Sequence, residues 1–305
     1  MVAKISKVTL ASMAALGATV GHDTANADTV NTEAKGNPLS VTVVGGLVMS
    51  DFSDDNLIQE VSDYGVFKLG LDNGTDTGGF GSISIGRAFD EGSAFDWRVT
   101  GSVTEFLAND RSSSYNYYTV GYSLSANDDA DWQHLDFEIG RTLDSSNLDL
   151  RIGAGVRLTN LETSTGGGYG RDVFFYSTSI DIQETNQFIG GGPRASVEGR
   201  LGGTVGVEFA GSVAALYSNQ SSDITQSIDF QYYDVNETYF GVEASENDWN
   251  WLTNIEASVG LSLRPSDSVD ISAGYRYERI SNMDTFIGED AVDASGPYLK
   301  IKAKF

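Results

Sequence analysis

The chain is 305 residues long, with no Cys, four Pro and 35 Gly, and its formal charge is −24. Without cysteine there are no disulfides, thiolate metal sites or cysteine nucleophiles, and so acidic a chain is repelled by nucleic acid. Past the first two dozen residues no apolar run approaches the roughly 20 residues of a membrane-spanning helix, so a helical membrane protein is excluded.

The first element is a secretory signal. Lys4 and Lys7 form a basic start, residues 8–20 an apolar stretch, and Ala25-Asn26-Ala27 a small-residue cleavage site before Asp28. Residues 1–27 are therefore expected to be removed and 28–305 to form one domain. Losing Lys4, Lys7 and Asp23 makes the chain one charge more negative.

Beyond it, apolar and polar residues alternate with a period of two in segments of about 10 residues, the length a tilted strand needs to cross a bilayer. Segments 40–48 and 81–89 lead, separated by a long connection over 49–79. A polar turn at 90–94 leads to 95–104, where Trp97, Val99, Gly101 and Val103 oppose Asp96, Arg98, Thr100, Ser102 and Thr104. Segment 116–124 is a weaker strand. In 133–143, Leu135, Phe137 and Ile139 oppose His134, Asp136 and Glu138.

The clearest alternation runs over 148–159, with Leu148, Leu150, Ile152, Ala154, Val156 and Leu158 on one face and Asp149, Arg151, Arg157 and Thr159 on the other. Residues 160–171 read as a connection, and Gly166 to Gly170 within it as a loop, since no Lys-Ser/Thr follows to make a phosphate cradle. Segments 172–182 and 187–200 come next, then a turn at 201–202. Val205, Val207, Phe209, Val213, Ala215 and Tyr217 form the next stripe, followed by a long connection over 218–248. Trp249, Trp251, Ile255, Ala257, Val259, Leu261 and Leu263 form another, then a turn at 265–268 and a strand through Val269, Ile271, Ala273, Tyr275 and Tyr277.

In the last strand, Pro297, Leu299, Ile301, Ala303 and Phe305 alternate with Tyr298, Lys300, Lys302 and Lys304. The terminal Phe305, with Tyr298, Leu299, Ile301 and Ala303, resembles the signal by which outer-membrane barrels engage their assembly machinery.

The fold expected is all-β, an antiparallel up-and-down transmembrane β-barrel. Counting every segment gives about twelve strands; demoting 116–124 and 172–182 to loops gives ten. Both counts are even, as barrels with both termini on the periplasmic side require. A soluble sandwich also alternates, so periodicity alone leaves the faces open; the terminal strand and the signal favour the membrane. Trp97, Tyr118, Trp249, Trp251, Tyr277 and Phe305 fall near strand ends, where interfacial aromatics belong.

Three segments resemble the pore-forming outer-membrane proteins grouped around the Legionella major outer membrane protein. They are LDFEIGRTLDSSNLDLRIGAGVRLTNLE over 135–162, FIGGGPRASVEGRLGGTVGVEFAGSVAALY over 188–217 with its Gly192-Pro193-Arg194 core, and ISAGYRYERI over 271–280. The resemblance implies a porin-like barrel; the region before Phe95 does not share it.

If the apolar stripes face lipid, the opposite stripes face the lumen. The lumen candidates are Arg98, Asp136, Glu138, Arg151, Arg157, Arg194, Glu198, Glu208, Glu256, Arg276, Glu278, Lys300 and Lys302. Charges on neighbouring strands either order water in a channel or plug a small barrel with ion pairs. The leading expectation is a passive outer-membrane channel for small hydrophilic solutes or ions, weakly preferring cations because segments 51–55, 127–131 and 243–248 are acidic. The alternative is a closed structural or adhesive barrel presenting surface loops.

No enzyme, cofactor, metal site or nucleic-acid partner is expected. The partners expected are outer-membrane lipid, lipopolysaccharide, the assembly machinery and the solute. A hydrolase built on His134 is the remaining alternative.

Overall fold

The computed structural model describes residues 38–50, 76–106, 109–117, 120–144, 148–173, 176–232, 235–283 and 291–305. The signal segment, acidic segment 51–55 and Tyr118 lie outside them. Eleven strands follow in chain order: β1 (Leu39–Ser50), β2 (Asp76–Ala88), β3 (Phe95–Phe106), β4 (Asn109–Tyr117), β5 (Val120–Asp144), β6 (Leu148–Val173), β7 (Tyr176–Gly202), β8 (Val205–Tyr232), β9 (Val235–Ser266), β10 (Val269–Ser281) and β11 (Ala291–Lys304).

Ten of them close into an antiparallel barrel, because β11 pairs with β1 and β3 pairs with β5. The two ends of the barrel sequence meet at that closure, where Leu39 N donates to Phe305 O at 3.0 Å and Phe305 N to Leu39 O at 2.9 Å. β4 lies outside the ring and pairs only with the outer half of β5, Asn109–Tyr117 against 120–128.

The count of twelve is therefore corrected to a ten-strand barrel with one added strand. Segments 116–124 and 172–182 are not separate crossings: they are the tips of the β4–β5 and β6–β7 hairpins. Residues 160–171 are not a turn, nor is Gly166–Gly170 a loop; both continue β6. The 218–248 connection is the outer half of a β8–β9 hairpin, paired from Ser218↔Asn250 to Tyr232↔Val235.

Strand length separates two regions. β1, β2, β3, β10 and β11 have 12 to 14 residues, about what a tilted crossing needs. β5 to β9 have 25 to 32, so they overshoot the bilayer by roughly 12 to 20 residues each, at about 3.3 Å per residue. With β4 they raise a sheet beyond the membrane on the side away from the termini. The turns on the termini side are tight, and Gly92 and Gly202 take φ of 75° and 108° there, conformations that suit glycine.

Side-chain burial is inverted relative to a soluble protein. Phe137 and Ile139 are 58 % and 56 % exposed, while their neighbours Asp136 and Glu138 are buried at 3 % and 5 %. The same inversion holds at Ile152, Val156 and Leu158 against Arg151 and Arg157. An apolar belt that faces outward around a polar interior is stable only if hydrocarbon surrounds it.

The belt ends in aromatics on the outer side, where Tyr217 stacks on Trp249 at 5.0 Å and meets Trp251 at 5.1 Å. Phe89, Phe95 and Phe305 are exposed at the other rim. A charge placed in mid-belt tests this arrangement. Phe137→Arg is expected to lower stability by about 2–4 kcal/mol, read as a shifted denaturant midpoint for folding into lipid vesicles; an unchanged midpoint would mean that the belt does not face lipid.

Candidate functional site in the barrel interior

The alternation that sends aliphatic side chains outward sends every lumen candidate inward, and the lumen is narrow enough for them to meet across it. Arg157 on β6 grips Asp136 with two parallel bonds, Nε to Oδ1 at 2.6 Å and Nη2 to Oδ2 at 2.7 Å. It also reaches past β7 and β8 to Glu256 at 2.6 Å and to Asn254. Glu138 accepts from Arg151, Arg194 and Ser196, and Arg98 pairs with Glu198 across the barrel. Asp96 accepts from Arg151 at 2.6 Å. Lys300 meets Glu208 at 2.7 Å, and that carboxylate also accepts the Tyr298 hydroxyl at 2.8 Å. Tyr298 thus points into the barrel, whereas Leu299, Ile301 and Phe305 face out.

Glu278 lies deepest in this network. It accepts from Trp132 Nε1 at 3.1 Å, Asn254 Nδ2 at 2.9 Å and Arg276 Nη2 at 2.8 Å, and His134 Nε2 lies 2.8 Å from its Oε1. Because an ionised carboxylate only accepts, Nε2 carries a proton; Nδ1 stands 2.9 Å from Thr159 Oγ1. A carboxylate, an imidazole and a hydroxyl in line resemble a hydrolase relay. His134, Glu278 and Thr159 are nonetheless all buried, and Thr159 does not line the barrel's cavity.

The ligand atoms of His134, Glu256 and Glu278 lie within 4.8 Å of one another. The two carboxylates already hold Arg157 and Arg276, guanidinium groups that stand where a metal ion would need room.

Above this network inward side chains form a second, apolar layer. Val48, Phe80, Phe106, Ala130, Trp132, Leu161, Phe188, Ala214, Leu216, Leu252, Ile280, Val292 and Ala294 form one buried apolar cluster with Met283. All ten barrel strands contribute to it. Phe80 occupies space left by Gly46, where an added Cβ would lie 2.6 Å from the ring, and the Arg276 guanidinium covers it at 4.6 Å.

Below the layer, solvent access falls with depth. Glu198 and Lys300 side chains are 37 % and 25 % exposed, while Arg157, His134 and Glu278 are at 1 %. An eccentric cavity of about 180 Å³ lies on the side of β1 to β3, walled by Thr42, Ser82, Ser84, Thr100 and Ser102 and rimmed by the charged groups.

Outside the membrane, the raised sheet has a trough of about 450 Å³ lined by Ser125, Gly168, Asp181, Gln183, Thr225, Ser227 and Glu243. Segments 127–131 and 243–248 belong to this sheet. Burial and the neighbouring carboxylates of Asp129, Glu105 and Glu162 push Asp131 up to about 7.

A closed β-barrel with an apolar outer belt, aromatic rims and a charged interior defines an integral outer-membrane protein. The family of the Legionella pneumophila major outer membrane protein precursor matches residues 92–305, and the chain belongs to that family. The match begins just before β3 and takes in all three resembling segments, 135–162, 188–217 and 271–280. No curated protein matches.

Similar solved structures include the outer membrane protease OmpT from Escherichia coli (12% identity, 91% of this chain and 99% of that one, TM-score 0.43). Neisserial surface protein A is another (11% identity, 88% and 97%, TM-score 0.30). So is the attachment invasion locus protein Ail of Yersinia pestis with a heparin analogue (12% identity, 88% and 100%, TM-score 0.27). At such TM-scores these likenesses carry no argument about activity.

Proposed function

We propose that this protein is an occluded outer-membrane barrel, a structural or surface-presenting protein whose interacting part is the sheet raised by β4 to β9. The observation that carries this reading is the apolar layer to which every barrel strand contributes. Water and ions cross such a layer only at the cost of leaving their hydration behind. The raised sheet, with its polar trough, supplies the surface that contacts lipopolysaccharide or a neighbouring cell. In planar bilayers the wild-type protein is expected to give no steady current across a range of salt and voltage; a steady ohmic current would overturn the reading.

The second reading is a narrow channel for small hydrophilic solutes with weak cation preference. It is favoured by the hydroxyl-lined cavity, which would be the inner half of such a path. The same bilayer measurement separates the two.

Export through cleavage after Ala27 and recognition of the terminal strand by the assembly machinery complete the proposal. Phe305 supports it doubly, since its ring extends the apolar face and its backbone closes the ladder with Leu39. Deleting Phe305 is expected to reduce severalfold the heat-modifiable, folded protein recovered from outer membranes. Recovery at the wild-type level would remove that role.

A further inference from the structure

The cavity under the apolar layer has an uneven charge arrangement. Arg98, Arg157, Arg194, Arg276 and Lys300 at its wall each sit in an ion pair. Lys302 also lines the cavity, yet among the described residues it makes neither an ion pair nor a hydrogen bond. Its cross-strand neighbour Asp270 is held instead by Arg264 at 2.7 Å. The carboxylates on the wall, Asp136, Glu138, Glu198, Glu208 and Glu256, are each engaged by at least one guanidinium or ammonium group. Lys302 is therefore the one charged side chain of the cavity lining without a direct ion-pair partner among the described residues.

The neighbouring wall suits an anion. Lys302 is opposite Thr42, Thr42 opposite Ser84, and Ser84 opposite Thr100, one row across four adjacent strands. Ser84 and Thr100 share a 2.7 Å hydrogen bond that uses one hydroxyl proton and leaves the other to turn outward. Thr42 adds another donor. An ammonium beside a row of hydroxyls offers an oxyanion both charge and hydrogen bonds. The cavity is smaller than the roughly 300 Å³ of a site for a drug-sized ligand, and solvent reaches it from the termini side.

We propose that this cavity is a binding site for a small soluble oxyanion, of the size of inorganic phosphate or a short carboxylate, entering from the periplasmic side and held by Lys302 with Thr42, Ser84 and Thr100. The inference stands apart from the occluded-barrel reading, because binding needs access from one side only.

The test uses the full mature barrel in detergent micelles, titrated calorimetrically with sodium phosphate and, separately, sodium acetate, against sodium chloride at equal ionic strength. Wild type is expected to bind saturably. Loss of a charge-assisted hydrogen bond, about 1.5–3 kcal/mol, corresponds to a weakening of about tenfold or more in Lys302→Met. Lys302→Arg is expected to retain most of the affinity and Thr100→Val to weaken it severalfold, while Arg279→Gln, at an exposed position outside the cavity, leaves it unchanged.

A second readout does not depend on calorimetric heat. In phosphate-free buffer Lys302→Met is expected to unfold at a higher denaturant concentration than wild type, since it removes an unpaired charge, and phosphate is expected to narrow that gap. Equal phosphate affinity in wild type and Lys302→Met, or no binding to a wild-type barrel whose heat-modifiable migration shows it folded, would overturn the proposal.

Discussion

Truncating the apolar layer with Phe80→Ala, Trp132→Ala and Phe188→Ala together is expected to turn a barrel without steady current into one with ohmic conductance in planar bilayers. These three are among the largest groups of the layer and come from β2, β5 and β7. Phe80 closes the outer end of the cavity, which it lines, and it is the side chain that Gly46 makes room for. Removing it alone is expected to give brief, small openings; removing all three leaves a continuous wet path through which ions keep their hydration.

In soluble cores each such truncation costs about 3–5 kcal/mol, so heat-modifiable migration must first show that the triple variant is folded. If the folded variant carries no more current than wild type, the layer is not the barrier. If wild type already conducts as well as the variant, the narrow-channel reading replaces the occluded one.

The second large effect is expected at Arg157. Its guanidinium is the only group bonded to both Asp136 and Glu256 among the hydrogen bonds of the described residues, and it is 1 % exposed. Arg157→Met keeps most of the volume but takes from two carboxylates their closest cation, leaving Asp136 with Arg194 at 3.5 Å and Glu256 with Arg276 at 3.7 Å and Arg194 at 3.8 Å. Breaking a buried pair from one side costs about 3–5 kcal/mol, whereas replacing all partners by neutral groups is often neutral.

The single variant is therefore expected to unfold at markedly lower denaturant in vesicles, and the combination with Asp136→Asn and Glu256→Gln to recover much of the loss. That recovery separates charge imbalance from a packing defect. A single variant as stable as wild type would show that the network carries no stability.

Much of the fold is legible in residues such as Leu135 to Ile139 and Leu148 to Leu158. A strand has two faces and a strict period, so one apolar stripe assigns every intervening charge to the other side. The count of ten was legible only as the alternative to twelve. Outside the bilayer both faces of a strand meet water, and the alternation vanishes: Ser218 to Tyr232 in β8 and Thr163 to Val173 in β6 look like loops because nothing selects an apolar face there.

The apolar layer left a trace that the lumen assignment passed over. At 213–217 the run Val-Ala-Ala-Leu-Tyr, and at 251–252 Trp-Leu, are apolar on both faces, which marks a place where the inward side chains have left water. Trp132, Leu161 and Ile280 carry the same signal singly. Each lies at an inward position that a water-filled pore would have kept polar.

Amino-acid order by itself determined which side chains share a face of each strand and where the tight turns fall. These follow from local geometry, the period of a pleated strand and the residues a turn tolerates. Only the tertiary structure decided that Arg157 meets Glu256, that Trp132 and His134 share Glu278, that ten walls close on an apolar layer, and that Lys302 is left unpaired. Those outcomes depend on the diameter and stagger of the closed barrel, which bring side chains more than a hundred residues apart within hydrogen-bond reach.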